Sequence, residues 1–214
     1  MSERVSPEPA EILREYGPYP GAATVRGVTY DGRCIWFGSN QLHAVVASSG
    51  ALEHSIDVPC SAGTAFDGRH LYQIAGQLIQ KIDPRTGRVV GTIPAPSGAC
   101  AGLTSAEGSL WVADYHPKKI HKIDPKSGAI LRTLESDRFV TGVTWVDGEL
   151  WHGTLEDDRS ELRQVDPNTG VVQRAVLMPE GMVVTGLESD GKDVFFAGGG
   201  SSGKVRAVRR PARR

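Results

Sequence analysis

The sequence contains few of the features that mark a secreted, membrane or nucleic-acid-binding protein. It has three cysteines, Cys34, Cys60 and Cys100, and no CxxC pair, which argues against a disulfide framework. No segment approaches the roughly 18 apolar residues of a membrane-spanning helix, and the N-terminus carries no apolar run of signal-peptide length. The 24 basic and 25 acidic residues almost cancel, so no overall field attracts an anionic partner. We therefore expect a cytoplasmic protein with reduced thiols that contacts neither nucleic acid nor membrane.

Glycine, in contrast, is abundant and regularly placed. Glycines that open an apolar strand recur at intervals of 36 to 44 residues, at Gly27, Gly63, Gly102, Gly142 and Gly186. Each is followed by a tight turn that ends in glycine, and then by an apolar-aromatic pair. These pairs are Ile35-Trp36, Leu71-Tyr72, Leu110-Trp111, Leu150-Trp151 and Val194-Phe195. Repeats of this length are typical of solenoids and propellers.

Two further strands complete most of the repeats. Segments with alternating apolar and polar residues, such as LIQKID and KIHKID, end at a proline, and a glycine turn and another strand follow. Four antiparallel strands in about 40 residues are the blade of a β-propeller. The sequence therefore predicts an all-β, five-bladed β-propeller built from four-stranded antiparallel blades.

The last repeat lacks a fourth strand, and the N-terminus supplies a candidate for it. Residues 11–16 (EILREY) precede Gly27 much as AILRTL precedes Gly142. We predict that this N-terminal strand completes the last blade and closes the ring. The result would be a monomeric single domain over residues 1–214, with residues 1–9 and 211–214 frayed.

The first strand of each propeller blade lines the central channel, so residues near the repeat glycines converge at its mouth. The positions just before the glycines are small and mostly apolar, and Arg26 is the only charge among them. Arg26 is predicted either to meet a carboxylate or phosphate, or else to pair with a buried carbonyl or reach solvent. Tyr115 and His116 follow a second strand at the same face. Loops at this face form the candidate binding site.

Two groups of residues leave alternative interpretations open. Cys60 and Cys100 lie near the same mouth, where two thiolates would suit a soft metal or redox pairing, although small buried hydrophobes are the favoured interpretation. His152 occupies a second-strand position at which the other repeats are mostly apolar. It is interpreted either as a general base or ligand, or as a hydrogen-bonded core histidine.

The segment FVTGVTWVDGELWHGTLEDDRSELRQVDPNTGVV, residues 139–172, carries a family resemblance. It is similar to the first blade of the plant and bacterial type of glutaminyl cyclase (glutamine cyclotransferase), a five-bladed propeller. That family's pattern reads Phe-Thr-Gln-Gly-Leu and then Leu-Tyr-Glu-Ser-Thr-Gly. The spacing between the leucines of the second and third strands is the same here, from Leu150 to Leu162.

The resemblance implies a site for converting an N-terminal glutamine to pyroglutamate, in which a carboxylate shuttles a proton. Phe139 matches the family's phenylalanine, Thr141 stands where the family has glutamine, and His152 stands where it has its catalytic glutamate. With Trp145, these residues are the predicted substrate and catalytic positions. Plant members hold a metal in the channel; no axial carboxylate ring is recognised here, so no cofactor is predicted, and a divalent metal is left open.

Three functions follow as hypotheses, and whether the protein is an enzyme is left open. The first is a cyclase-like propeller with altered or lost activity, which binds a small molecule or a peptide N-terminus. The second is a non-catalytic propeller that binds a protein partner. The third is a propeller lyase or lactonase, because GVTYDGRCIWFGS resembles the repeats of streptogramin lyases and His116, His152 and Glu156 offer metal ligands.

Overall fold

The computed structural model describes residues 5–213, which form 21 strands in five sheets. Each sheet contains four antiparallel strands in sequence order from the channel outward, apart from the two N-terminal strands. The architecture is the predicted five-bladed β-propeller. Within residues 5–213, no helix has the length and apolar character needed to cross a membrane.

The strands are numbered along the chain. The N-terminal strands are β1 (Glu8–Pro9) and β2 (Ile12–Tyr16). Blade 1 contains β3 (Val28–Tyr30), β4 (Cys34–Gly38), β5 (Leu42–Val46) and β6 (Leu52–Ile56). Blade 2 contains β7 (Thr64–Phe66), β8 (Leu71–Ala75), β9 (Leu78–Ile82) and β10 (Val89–Pro94).

Blade 3 contains β11 (Cys100–Ala106), β12 (Ser109–Asp114), β13 (Lys119–Ile123) and β14 (Ile130–Glu135). Blade 4 contains β15 (Val140–Val146), β16 (Glu149–Thr154), β17 (Glu161–Val165) and β18 (Val172–Leu177). Blade 5 contains β19 (Gly186–Ser189), β20 (Val194–Gly198) and β21 (Val205–Arg209), and β2 supplies its outermost strand.

The N-terminal strand closes the ring, as predicted from residues 11–16. Strand β2 pairs antiparallel with β21, and Tyr16 lies opposite Val205. The phenol of Tyr16 is buried and donates a hydrogen bond to the carbonyl of Ala47 in blade 1. Closure therefore joins the two ends of the chain within one blade and also ties that blade to its neighbour.

Segments near both ends of the described chain contact blade 4. Glu8 and Pro9 form β1, which pairs in parallel with Val176 and Leu177 and gives blade 4 a fifth strand. Near the C-terminus, the carbonyl of Ala212 accepts a hydrogen bond of 2.7 Å from Arg174. Within the segments predicted to be frayed, 1–9 and 211–214, residues 1–4 and 214 lie outside the described residues.

Five hydrophobic clusters hold the ring together, one between each pair of neighbouring blades. The cluster between blades 4 and 5 shows the arrangement: Trp151 of β16 packs with Leu187 and Phe195 of blade 5. Because each blade buries its two faces against two different neighbours, its stability depends on both, as in other repeat architectures.

The fifth aromatic pair is displaced by one residue from its predicted position. Phe196, rather than Phe195, lies opposite Glu188 and joins the cluster shared with blade 1. The shift arises because five residues (190–194) separate the paired Ser189 and Phe195, whereas four separate the equivalent pair in each other blade, for example Phe66 and Leu71. The blade 5 equivalent of His152 is therefore Ala197, and not Phe196.

Candidate functional site

The repeat glycines are the points at which neighbouring innermost strands touch. At each of the five glycines, a Cβ atom would lie between 2.3 and 2.6 Å from backbone atoms of the next blade. No real side chain fits at such a distance, so glycine is required for this approach. All five innermost strands begin at the same end of the channel. Residues before the glycines therefore surround one mouth, and residues after them line the channel beyond this glycine ring.

A cavity of about 340 Å³ lies at this mouth, and we call it the vestibule. Blades 1, 2, 3 and 5 contribute its lining, which consists of Arg26, Ser61, Ala62, Gly98, Ala99, Cys100, Ala101, Tyr115, His116 and Thr185. Three side chains that the sequence predicted for the site, Arg26, Tyr115 and His116, therefore lie together. No carboxylate occurs among the lining residues.

Arg26 supplies the fixed positive charge of the vestibule. Its Nη1 donates hydrogen bonds to the carbonyl oxygens of Ser39, at 2.9 Å, and Cys60, at 2.8 Å. The carbonyl contact foreseen as one alternative is therefore present. Neither Nε nor Nη2 of Arg26 has a hydrogen-bond partner within residues 5–213. The guanidinium is anchored on one side and retains donors for another group.

Aromatic rings form one wall of the mouth. Tyr115 stacks on Phe139 with ring centroids 4.8 Å apart and an interplanar angle of 15°. His116 meets Tyr115 edge-on at 5.1 Å, and the Nζ of Lys118 lies 4.7 Å from the centre of the Phe139 ring. Phe139 thus supports the vestibule wall from behind Tyr115, and two basic side chains flank it.

The cysteines near the vestibule are neutral thiols. Burial raises the pKa of Cys60 to about 12 and also raises the pKa of Cys100. Their sulfur atoms donate to the carbonyls of Val58, at 3.2 Å, and Ser97, at 3.3 Å. In the part of the chain that the structure describes, no three His, Cys, Asp or Glu side chains lie close enough together to hold a metal ion. The geometry agrees with small buried hydrophobes.

His152 lies outside the vestibule. Leu150, two residues earlier on β16, packs in the cluster shared with blade 3, and alternation along the strand turns His152 to the same side. Its side chain is buried, with 1% exposure, and Nδ1 lies 3.1 Å from the carbonyl oxygen of Gly153. Burial lowers its pKa to about 4. The imidazole is therefore neutral near pH 7 and has no access to solvent.

Thr141 and Trp145 do not join the vestibule either. Thr141 is buried, and its hydroxyl lies only 2.6 Å from where a Cβ at Gly153 would be. Trp145 lies further along β15, on the far side of the glycine ring, and stacks on Trp111 with centroids 5.9 Å apart. The predicted residues therefore separate into a vestibule group and an interblade group.

Beyond the glycine ring, the channel contains a buried carboxylate that was missed from the sequence. Glu188 of β19 accepts hydrogen bonds from the hydroxyls of Thr29, at 2.9 Å, Thr144, at 2.5 Å, and Thr104, at 3.5 Å. Burial raises its pKa to about 7, against the partial opposing effect of these hydrogen bonds. One carboxyl group thus connects four of the five blades.

A periodic signal for this residue was present in the sequence. Glu188 follows Gly186 by two positions, as Thr29, Ala65, Thr104 and Thr144 follow their own glycines. Residues two apart on a strand face the same side, so these five positions form a second ring in the channel. The prediction was confined to the positions before the glycines and did not reach this ring.

The channel around Glu188 does not fit a divalent metal. Its oxygens are already held by three threonine hydroxyls and by the backbone N–H of Ser189 at 3.0 Å. Divalent cations of the hard type take six or more oxygen ligands, usually with several carboxylates. A single carboxylate that is satisfied by protein donors offers no such set.

A larger cavity, of about 920 Å³, lies at the outer edge of blade 4. Both of its arginines are paired with acids: Arg163 with Asp137 at 2.6 Å and with Glu161 at 2.8 Å, and Arg138 with Glu161 at 2.9 Å. The third acid of the lining, Glu156, lies 3.3 Å from Arg138 and 3.9 Å from Lys118, so each charged group of this cavity already has a partner. We therefore regard the vestibule as the candidate site.

Comparison with known proteins agrees with this architecture. The fold defines the class as a five-bladed β-propeller. The structure is similar to that of the glutaminyl cyclase of Myxococcus xanthus, with a TM-score of 0.79 and 16% identity, over 96% of this chain and 98% of that one. The resemblance seen in residues 139–172 is thus confirmed at the level of the fold.

Two further structures match with lower TM-scores. A chain of the mitotic checkpoint complex matches with a TM-score of 0.54 and 15% identity, over 86% of this chain and 61% of that one. Kuenenia stuttgartiensis hydrazine synthase matches with a TM-score of 0.54 and 15% identity, over 83% of this chain and 56% of that one. No protein-family model matches the chain, and no curated protein matches it in sequence. At these identities, the comparisons establish the fold alone.

Proposed function

We propose that this protein is a glutaminyl-cyclase-like propeller that binds a small molecule or a peptide end in the vestibule and has lost the cyclisation activity. The observation that carries the proposal is the composition of the vestibule. It combines an anchored arginine, a stacked aromatic wall and a histidine, but no carboxylate among its lining residues. The site can therefore hold a ligand but lacks the acid that the family resemblance requires.

Cyclisation of an N-terminal glutamine requires a proton to move. The α-amine attacks the side-chain amide carbon and loses a proton, the C–N bond to the amide nitrogen breaks, and that nitrogen leaves as ammonia after gaining a proton. A group that accepts and returns this proton must contact both nitrogens and titrate near the working pH. His152, which stands at the position of the family's acid, has 1% exposure and a pKa near 4. It meets neither condition.

The alternative of a metal-dependent lyase or lactonase has less support. His116 lines the vestibule, Glu156 lines the cavity at the outer edge of blade 4, and His152 lines neither. These three potential ligands therefore do not surround one cavity.

A protein partner is the second candidate, because His116 and Phe139 place aromatic groups beside Lys118 at the rim of the vestibule. We further propose that the protein is a monomer. We also propose a reducing compartment such as the cytoplasm, since all three thiols are unpaired.

An assay of ammonia release from a peptide with N-terminal glutamine tests the loss of activity. We expect the wild-type protein to release no more ammonia than a protein-free blank. The variant His152→Glu, which restores the family's residue type at a sealed position, is expected to be equally inactive. Ammonia release by the wild type that disappears in His152→Ala would contradict the proposal.

A further inference from the structure

We propose that the vestibule recognises the carboxylate of a small planar molecule, with Arg26 as the recognising group and Tyr115 as the stacking surface. This inference rests on the proposed function, because it names the ligand class of the same site. It goes further by specifying the charge, the shape and the residue that discriminates between ligands.

The guanidinium of Arg26 is held in place on one side. Hydrogen bonds from Nη1 to the carbonyls of Ser39 and Cys60 fix the position of the guanidinium. A group that is already fixed loses less conformational entropy when it binds a ligand. Because Nε and Nη2 have no partner within the described residues, two adjacent donors remain. Such a pair matches the two oxygens of a carboxylate.

Arg26 is the only permanently charged side chain among the lining residues of the vestibule. No acidic side chain lines the vestibule, and the raised pKa values of Cys60 and Cys100 keep these thiols uncharged at neutral pH. The positive charge of Arg26 is therefore not cancelled by an acid of the cavity wall. An anion that enters is attracted by Arg26 and meets no acidic side chain among the lining residues. The acid beside Cys100, Asp114, is buried behind the wall and accepts a hydrogen bond from Ser97 at 2.7 Å.

The shape of the vestibule suits a flat ligand. Tyr115 is held flat against Phe139, so its ring is rigid. The other walls include Ala62, Ala101 and Gly98, which leave space rather than fill it. A planar body can stack on Tyr115 while its carboxylate reaches Arg26, and the volume of about 340 Å³ suits a small molecule rather than a long chain. One arginine matches a monoanion better than a phosphate dianion.

Benzoate, benzamide and phenyl phosphate are suitable probes because they share a ring and differ in charge. We would measure their affinities for the intact protein by isothermal titration calorimetry. The proposal predicts that benzoate binds at least about tenfold more tightly than benzamide, which is the effect of one charge-assisted hydrogen-bond pair. It also predicts tighter binding of benzoate than of phenyl phosphate, and weaker benzoate binding at high salt.

Variants assign the effect to Arg26. Arg26→Met is expected to reduce the affinity for benzoate about tenfold or more and to leave that for benzamide unchanged. Arg26→Lys keeps the charge without the two-donor edge, so its affinity for benzoate should lie between those of the wild type and Arg26→Met. Arg88→Met removes the same charge from an exposed site outside the vestibule and should change nothing. The comparison of benzoate with benzamide in the wild type remains decisive even if Arg26→Met fails to fold.

The outcomes separate this inference from the proposed function. Equal binding of benzoate and benzamide, lost in Tyr115→Ala, would overturn the carboxylate inference and leave a vestibule that binds small molecules. Tighter binding of phenyl phosphate than of benzoate would also overturn it, in favour of a phosphate site. Absence of binding by all three probes would overturn the inference, whereas the ammonia assay and peptide binding would still decide the proposed function.

Discussion

Replacement of Glu188 by glutamine is expected to remove a pH dependence from the stability of the propeller. Glu188 connects four blades through threonine hydroxyls, and burial raises its pKa from the ordinary 4.5 to about 7. The folded state therefore binds this proton more tightly than the unfolded state does. Stability contributed by the protonated acid is complete below pH 4.5, falls as the pH rises toward 7, and stays low above it.

The size of the effect follows from the same two pKa values. An interval of about 2.5 pH units, at about 1.4 kcal/mol for each unit, amounts to about 3 kcal/mol. That is a large part of the roughly 5–15 kcal/mol that stabilises a typical domain. Glu188→Gln is neutral at every pH, so it should lose this dependence and exceed the wild type in stability at pH 8.

Urea unfolding at pH 5, 6, 7 and 8 measures the difference. The free energy of unfolding of the wild type, relative to that of Glu188→Gln, should decline by about 2.5 kcal/mol across this range. Glu180→Gln, at an exposed loop position, is the matched control and should follow the wild type. If Glu188→Gln retains the same pH slope as the wild type, the carboxyl group does not titrate as the geometry requires.

Three further predictions concern the interblade packing and the closure of the ring. Because the pKa of His152 is lowered from 6.5 to about 4, the wild type should lose up to about 3 kcal/mol as the pH falls between these values. His152→Phe introduces the residue type of the equivalent Phe37. Relative to the wild type, it should lower the free energy of unfolding in urea less at pH 4.5 than at pH 7. Equal reductions at the two pH values would contradict this. Gly142→Ala would place a Cβ 2.3 Å from the backbone nitrogen of Leu187, and should lower the free energy of unfolding by about 3 kcal/mol. Gly91→Ala, where the added Cβ meets nothing within 4 Å, should cost less than about 1 kcal/mol, and similar melting temperatures for the two variants would refute the close approach. Deletion of residues 1–16 removes β2 and should abolish cooperative thermal unfolding, measured by circular dichroism. Deletion of residues 1–10 removes only β1 and should preserve cooperative unfolding. Cooperative melting of the variant with the longer deletion would show that β2 does not close the ring.

The repeat determines most of the fold, and it is visible in the sequence. Each unit carries its own turns and alternating strands, so strand order and blade number follow from local signals. The strand of residues 11–16 was recognisable because it is amphipathic and one fourth strand was missing. Strand β1 was not, because a two-residue strand pairs through its backbone and leaves no side-chain pattern.

The candidate site was less predictable because it depends on contacts between distant residues. Arg26 is anchored by carbonyls that lie 13 and 34 residues away in the sequence, and no local pattern indicates them. The burial of His152 follows from the packing of blade 3 on blade 4. The one-residue shift at Phe196 changed which residue matched His152, since a longer turn is invisible to a comparison by spacing.

The central claim is that a ligand binds at the vestibule without being cyclised. An NMR titration of the isotopically labelled protein with a short peptide that has an N-terminal glutamine and a free C-terminal carboxylate, the group that Arg26 is proposed to bind, tests this most directly. It reports the place of binding and the chemical fate of the peptide together. The account predicts shift changes at Arg26, Cys100 and Tyr115, none around Trp145, and an unchanged peptide. Conversion of the peptide to its pyroglutamyl form, or shift changes confined to other parts of the molecule, would contradict it.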